Sequence, residues 1–152
     1  MPLRALLIAC LALTGAGLAA GAARADSAVY FTYDDGRALQ GMDVVTYFSD
    51  SGPQPGRSEF SVMWKGAVWH FVSRGNQEAF ESNPRAYAPQ YGGYCAYAVS
   101  RGYTASGDPQ SWRVIDGKLY LVHNPNVARM WAREMRQNIA RAEANWPAVL
   151  GE

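Results

Sequence analysis

Reactive side chains are scarce in this chain. It has two cysteines, Cys10 and Cys95, and two histidines, His70 and His123, among 152 residues. That excludes a C-x-x-C exchange pair and a disulfide framework of several bridges. Charge is also thin, at 18% Asp, Glu, Lys and Arg with a formal net charge of +1. A balance so near neutral has no basic stripe for nucleic acid and no polybasic patch for a membrane surface. Beyond Asp26 no apolar run approaches the ~18 residues of a membrane-spanning helix. HExxH and P-loop motifs are missing, and Ser100, Ser106 and Ser111 lack a nucleophile-elbow context. Asp34, Asp35 and Asp43 lack the spacing of an EF-hand loop. Asp108, in Ser106-Gly107-Asp108-Pro109, reads as turn chemistry before it reads as a general base. No internal repeat of fixed period is evident.

The first 25 residues have a recognisable layout. Arg4 supplies a positive start, an apolar run follows from Ala5 to Leu13, and small residues lead to Ala23-Arg24-Ala25 before Asp26. This is the pattern of a cleaved secretory signal peptide. Leu7-Ile8-Ala9-Cys10 also resembles a lipoprotein cleavage box, but cleavage there would leave an apolar region of about five residues, below the usual ~7–15. Soluble export to the periplasm or beyond is therefore favoured over anchoring at Cys10. Loss of Arg4 and Arg24 leaves residues 26–152 with 12 basic and 13 acidic residues, a single-domain length of 127 residues and all five tryptophans. It also leaves Cys95 as the lone thiol in an oxidising compartment, with no internal partner.

The pattern beyond the leader predicts an α+β domain: two β-hairpins forming a small antiparallel sheet, short helices between them and a C-terminal helical arm. Ala28-Val29-Tyr30-Phe31 reads as a short strand before a turn at Asp34-Asp35-Gly36. Asp43 to Phe48 suits helix or strand, and residues 51–56 form a Gly/Pro loop. Phe60, Val62 and Trp64 alternate on one arm of a hairpin whose other arm is Val68 to Val72, joined through Lys65-Gly66-Ala67. Ser73 stands where an N-cap should be. A second hairpin turns at Asp116-Gly117. Asn124-Pro125 then reads as an N-cap followed by proline at the first helical position. Val127, Met130, Trp131, Met135, Ile139, Ala142 and Trp146 recur at helical steps as one buried face, with a break expected near Gln137-Asn138.

Several separated motifs resemble one family. Gly41-Met42-Asp43-Val44, the Trp64 to Phe71 hairpin, Phe80, Asn83-Pro84 and Tyr87 resemble the YHS domain, a module associated with copper handling through two cysteines. From Tyr91 onward, YGGYCAYAVS, SGDP, DGKLYL and ANWPAVL resemble the exported YHS domain-containing (seleno)proteins. The resemblance spans about residues 28–150. It implies one YHS-like domain over 26–152, with a module core at about 38–90 and an extension over 91–152. It also aligns Cys95 with a selenocysteine position. Both usual metal cysteines are absent, since Gln40 precedes Gly41-Met42 and the turn after the hairpin reads Ser73-Arg74-Gly75-Asn76.

Cys95 is thus the residue to explain. Gly92-Gly93 permits a sharp turn, and Tyr94 to Ser100 reads as a short helix with Cys95 in its first turn, where N–H groups and the helix dipole favour an anion. One reading makes Cys95 a ligand for a soft ion, copper first, completed by Met42, His70 or His123. A second makes it a one-cysteine redox centre reset by an external thiol, supported by Tyr91, Tyr94 and Tyr97. A third makes the chain a non-catalytic module that binds a partner protein in the periplasm; across the readings the expected partners are a metal ion or small molecule and such a protein. The bland alternative keeps Cys95, the methionines and the tyrosines in the core, with His70 turned outward from its strand and His123 at a solvated strand end.

Overall fold

The computed structural model describes residues 30–151. The expected leader, with Cys10, and Ala28-Val29 of the expected first strand lie outside the described residues. Tyr30 and Phe31 belong to no strand.

The fold is α+β, as the alternating pattern predicts. After a turn at Asp34-Asp35, a short pair joins β1 (Met42–Asp43) to β2 (Gln54–Pro55). Between them Val44–Phe48 forms a 3-10 helix, which settles the helix-or-strand ambiguity of that segment. Asp43 decides it, because its Oδ1 accepts the Val45 N–H at 2.8 Å and caps the turn. The first hairpin pairs β3 (Arg57–Trp64) with β4 (Ala67–Phe71), in register Val62↔Trp69 and Met63↔Val68. Lys65 and Gly66 take φ of 51° and 78°, the mirror-image turn that matches strand twist.

Two helices follow, α1 (Arg74–Ser82) and α2 (Pro84–Tyr87). Ser73 Oγ caps α1 by accepting the Asn76 N–H at 3.2 Å. A 3-10 turn over Gln90–Gly93 leads to α3 (Ala96–Ser100). The second hairpin joins β5 (Asp108–Ile115) to β6 (Lys118–Val122) through Asp116-Gly117. The helical arm consists of α4 (Pro125–Arg133), capped by Asn124, and α5 (Met135–Asn145). The two hairpins do not merge into one sheet: each remains a separate two-stranded ladder beside the small β1–β2 pair.

Two expectations for the arm need correction. The break falls at Glu134 rather than near Gln137-Asn138. Asn138 is instead buried in α5, where its Nδ2 donates to the Trp131 carbonyl at 3.1 Å and satisfies an otherwise orphaned end of α4. Met130 leaves the buried face and is 45% exposed.

Two apolar clusters make the core. The first gathers Val44, Tyr47, Trp69, Phe71 and Phe80; the second gathers Tyr91, Cys95, Val99, Trp131 and Ala142. Strand β6 divides them, sending Leu119 and Leu121 into the first and Tyr120 and Val122 into the second. Alternation along a strand does this directly when both faces are covered.

A buried carboxylate locks the first cluster. Asp43 is fully buried, and its Oδ2 accepts the Val72 N–H at 2.8 Å and Asn76 Nδ2 at 2.7 Å. With the Val45 bond, one side chain ties the 3-10 helix, the end of β4 and the first turn of α1. Asp43→Ala leaves those donors without acceptors, each orphan costing about 1–3 kcal/mol. The expected loss in urea unfolding is about 2–5 kcal/mol. A loss under about 1 kcal/mol would show that the carboxylate is not a structural tie.

Candidate functional site

The chemistry-bearing residues fall into three places. Cys95 lies in the second cluster at 1% exposure. It is the N-cap of α3 rather than a first-turn residue, because Tyr94 is held by a bridge to Ser106 and the helix begins at Ala96. The Cys95 N–H donates to Ala105 O at 2.9 Å, so it is not an orphan awaiting an anion. Met42 packs against the first cluster, and His70 is half-buried on the outer side of β4, where alternation places it. His123 is exposed, its Nδ1 within 3.0 Å of Ser106 O and 3.1 Å of Ser106 Oγ.

These positions do not compose the expected copper site. A soft cation needs several donors converging on one point. Here the thiol is enclosed by apolar side chains, while the Met42 thioether packs against the other cluster and His70 faces outward from β4. Among the described residues no three His, Cys, Asp or Glu side chains gather around one point.

The tyrosines flanking Cys95 are largely packing residues. The Tyr91 hydroxyl donates to Ile139 O at 3.3 Å, and its ring packs on Tyr120 and Trp146. Burial pushes the Tyr91 hydroxyl well above the usual phenol range, with Tyr120 and Glu143 adding to the shift. Tyr94 packs on Phe31 and Trp146, and burial raises its hydroxyl too. Tyr97 lies beneath the Arg101 guanidinium, 4.9 Å from the ring centroid. Gly92 and Gly93 do turn sharply, with φ of 62° and 81°, and Tyr91 shares the left-handed region at 53°.

That left-handed turn forms one wall of an open cleft of about 280 Å³. Tyr30, Tyr91 and Trp146 supply aromatic surface, Arg85 enters from α2 and Glu143 from α5. Neither Arg85 nor Glu143 takes part in a salt bridge among the described residues. Arg85 acts on the Tyr30 hydroxyl, lowering it against the larger upward push of burial. Glu143 acts on Tyr91 and on Tyr120. The cleft therefore offers a cation and an anion from different elements, together with aromatic lining.

No family model, no curated protein and no solved structure matches the chain. What the cleft does must therefore come from its own geometry. Sequence reasoning missed Arg85 and Glu143, which carry no motif and lie far apart along the chain. Trp146 was legible only as part of a helical face.

Two measurements follow from these placements. Thiol labelling of Cys95 is expected to be at least ~100-fold slower in the native chain than in denaturant, since it requires local opening. Cys95→Ala is expected to be tolerated better than Cys95→Ser, whose hydroxyl must be buried without a provided partner at about 1–3 kcal/mol. Labelling at the unfolded rate, or the opposite order of stability, would place the thiol at the surface.

His70 supplies a pH dependence. Burial lowers its pKa, the Arg37 guanidinium adds to this, and Asp35 opposes it in part. The unfolded histidine, near ~6.5, then binds its proton more readily than the folded one. Stability is expected to fall as pH drops through that value, and His70→Gln should flatten the urea midpoint between pH 7 and pH 5. An unchanged slope in the variant would remove His70 from that effect.

Proposed function

We propose that the chain is an exported, non-catalytic binding module whose site is the cleft between α2 and α5. One observation carries the reading: Arg85 and Glu143 line the same cleft, unpaired with each other and facing aromatic walls. Opposite charges lining one cleft favour a ligand that presents both a carboxylate and an ammonium group. Tyr30, Tyr91 and Trp146 favour an apolar or aromatic body between them, with the ammonium gaining from the ring faces. A volume of about 280 Å³ suits a molecule of amino-acid size. The proposed ligand class is therefore a small zwitterion, such as an aromatic amino acid or a related metabolite.

The test is calorimetric titration of residues 26–152 with phenylalanine, phenylalanine amide and N-acetylphenylalanine. Phenylalanine should bind, and each derivative, lacking one charge, should bind at least tenfold more weakly. Arg85→Ala should abolish the preference for a free carboxylate, and Glu143→Gln the preference for a free ammonium. No heat with any zwitterion at millimolar concentration would sink the proposal. In parallel, Cu(I) binding at one equivalent that Cys95→Ser removes would return the function to a soft-metal site, as the resemblance to the YHS module implies. A metal-free chain whose accessible thiol forms sulfenate rapidly with peroxide would instead favour the redox reading.

A further inference from the structure

The two halves of the chain repeat one another element by element. Strands β3 and β5 have eight residues each, β4 and β6 five each, and α1 and α4 nine each, all at a spacing of 51 residues. The ladders share an irregularity. Arg57 pairs with Phe71 and the next pair is Ser61 with His70; Asp108 pairs with Val122 and the next is Trp112 with Leu121. Both hairpins turn through a non-glycine and a glycine at positive φ, Lys65-Gly66 at 51° and 78° and Asp116-Gly117 at 51° and 73°. Both following helices are capped alike, Ser73 accepting the Asn76 N–H and Asn124 the Val127 N–H. The central ring contact recurs, Trp69 on Phe80 at 5.0 Å and Tyr120 on Trp131 at 5.7 Å.

Upstream of the hairpins the correspondence continues, one residue further apart. Leu39, Gln40 and Gly41 take φ of 54°, 53° and 81°, and Tyr91, Gly92 and Gly93 take 53°, 62° and 81°. Next come Met42, paired with Pro55, and Tyr94, paired with Ser106. The short helices Val44–Phe48 and Ala96–Ser100 follow. Gly56 and Gly107 stand immediately before each hairpin at positions where a Cβ would clash, with the His70 backbone and with Gly93 O respectively. Hairpins with type I′ turns are common, but shared bulge positions, cap positions and left-handed triplets do not follow from propensity.

We infer that the chain is a tandem duplication of one module of about 50 residues, and that Cys95 occupies in the second unit the position that Asp43 holds in the first. In the first unit that position is filled by a carboxylate accepting from the third residue of α1, Asn76. The third residue of α4 is Val127, an apolar side chain packed against the same cluster as Cys95. The thiol and the valine are a matched apolar exchange for the carboxylate and the amide. Cys95 is in this account a packing peg of the duplicated module.

The duplication is closed at two units. The outer hairpin face of the second unit, Trp112, Val114, Leu119 and Leu121, packs into the first cluster. Its counterpart in the first unit is Ser61, Met63, Val68 and His70, with Met63 at 69% exposure. Serine and histidine stand where tryptophan and leucine do, the polar outer face expected of a terminal unit. At the other end α5 takes the place of a third unit. Asn145 donates to Val99 O, whereas Tyr47, the counterpart of Val99, reaches Pro109 O and the Trp112 ring of the next hairpin. This inference is independent of the ligand proposed for the cleft.

The test transplants the first unit's tie into the second in the full exported chain. Cys95→Asp alone buries a carboxylate without its amide partner, and Cys95→Asp with Val127→Asn restores the pair. The double variant is expected to have a folding constant at least tenfold above that of Cys95→Asp, or to fold cooperatively if the single variant does not fold. The reverse transplant, Asp43→Cys with Asn76→Val, is expected to exceed Asp43→Cys by a similar factor. If Val127→Asn brings no gain to Cys95→Asp in urea unfolding, the equivalence of the two positions is overturned.

Discussion

Strand β6 is the constraint on which the rest of the structure depends. It is buried on both faces, so its side chains serve two cores at once: Leu119 and Leu121 complete one, Tyr120 and Val122 the other. Each such side chain is worth about 1.5–3 kcal/mol of burial, and none can be lost from one cluster without disturbing the strand that bounds the other. The first hairpin lacks this double role. Strand β4 buries Ala67, Trp69 and Phe71 on one face and leaves Val68 and His70 only half covered on the other. The two hairpins are alike in form and unlike in position.

The location of the chemistry follows from that division. Cys95 lies behind β6, within the second cluster, where α3, α4 and α5 close over it. Met42 packs against the first cluster, beyond that septum, and a site joining it to Cys95 would have to cross a packed strand. The cleft opens instead where α2 of the first half meets the end of α5 and the left-handed turn at Tyr91. Arg85 and Glu143 line that cleft from elements far apart along the chain, with no local sequence signal requiring it.

The equivalence of Asp43 and Cys95 gives the two halves an internal comparison. Features common to both, such as Gly41 and Gly93, Gly56 and Gly107, and the capped helices after each hairpin, serve the module itself. Features that differ report what each copy does in its own setting. Asp43 ties three elements through hydrogen bonds, a directional solution that holds one geometry. Cys95 and Val127 meet the same need by apolar packing, which tolerates exchange more readily.

Much of the local structure was legible in the residues. Lys65-Gly66 and Asp116-Gly117 set two hairpins, and Ser73 and Asn124 set two helix starts, because a turn or a cap is decided by a few adjacent side chains. The alternation of β4 placed His70 outward for the same reason. The repeat was not legible, because beyond a few glycines the matched positions share backbone geometry and strand register and not residue identity. Trp69 answers to Tyr120, Phe80 to Trp131 and Asp43 to Cys95. The break of the helical arm was misplaced because Asn138 earns its place through a bond to the Trp131 carbonyl, a contact periodicity does not encode. The sequence by itself determined the elements, their turns and their caps, all set by neighbours along the chain. Tertiary structure alone decided which face of β6 meets which core, that Cys95 is enclosed and that Arg85 and Glu143 line one cleft, since each depends on the placing of distant segments.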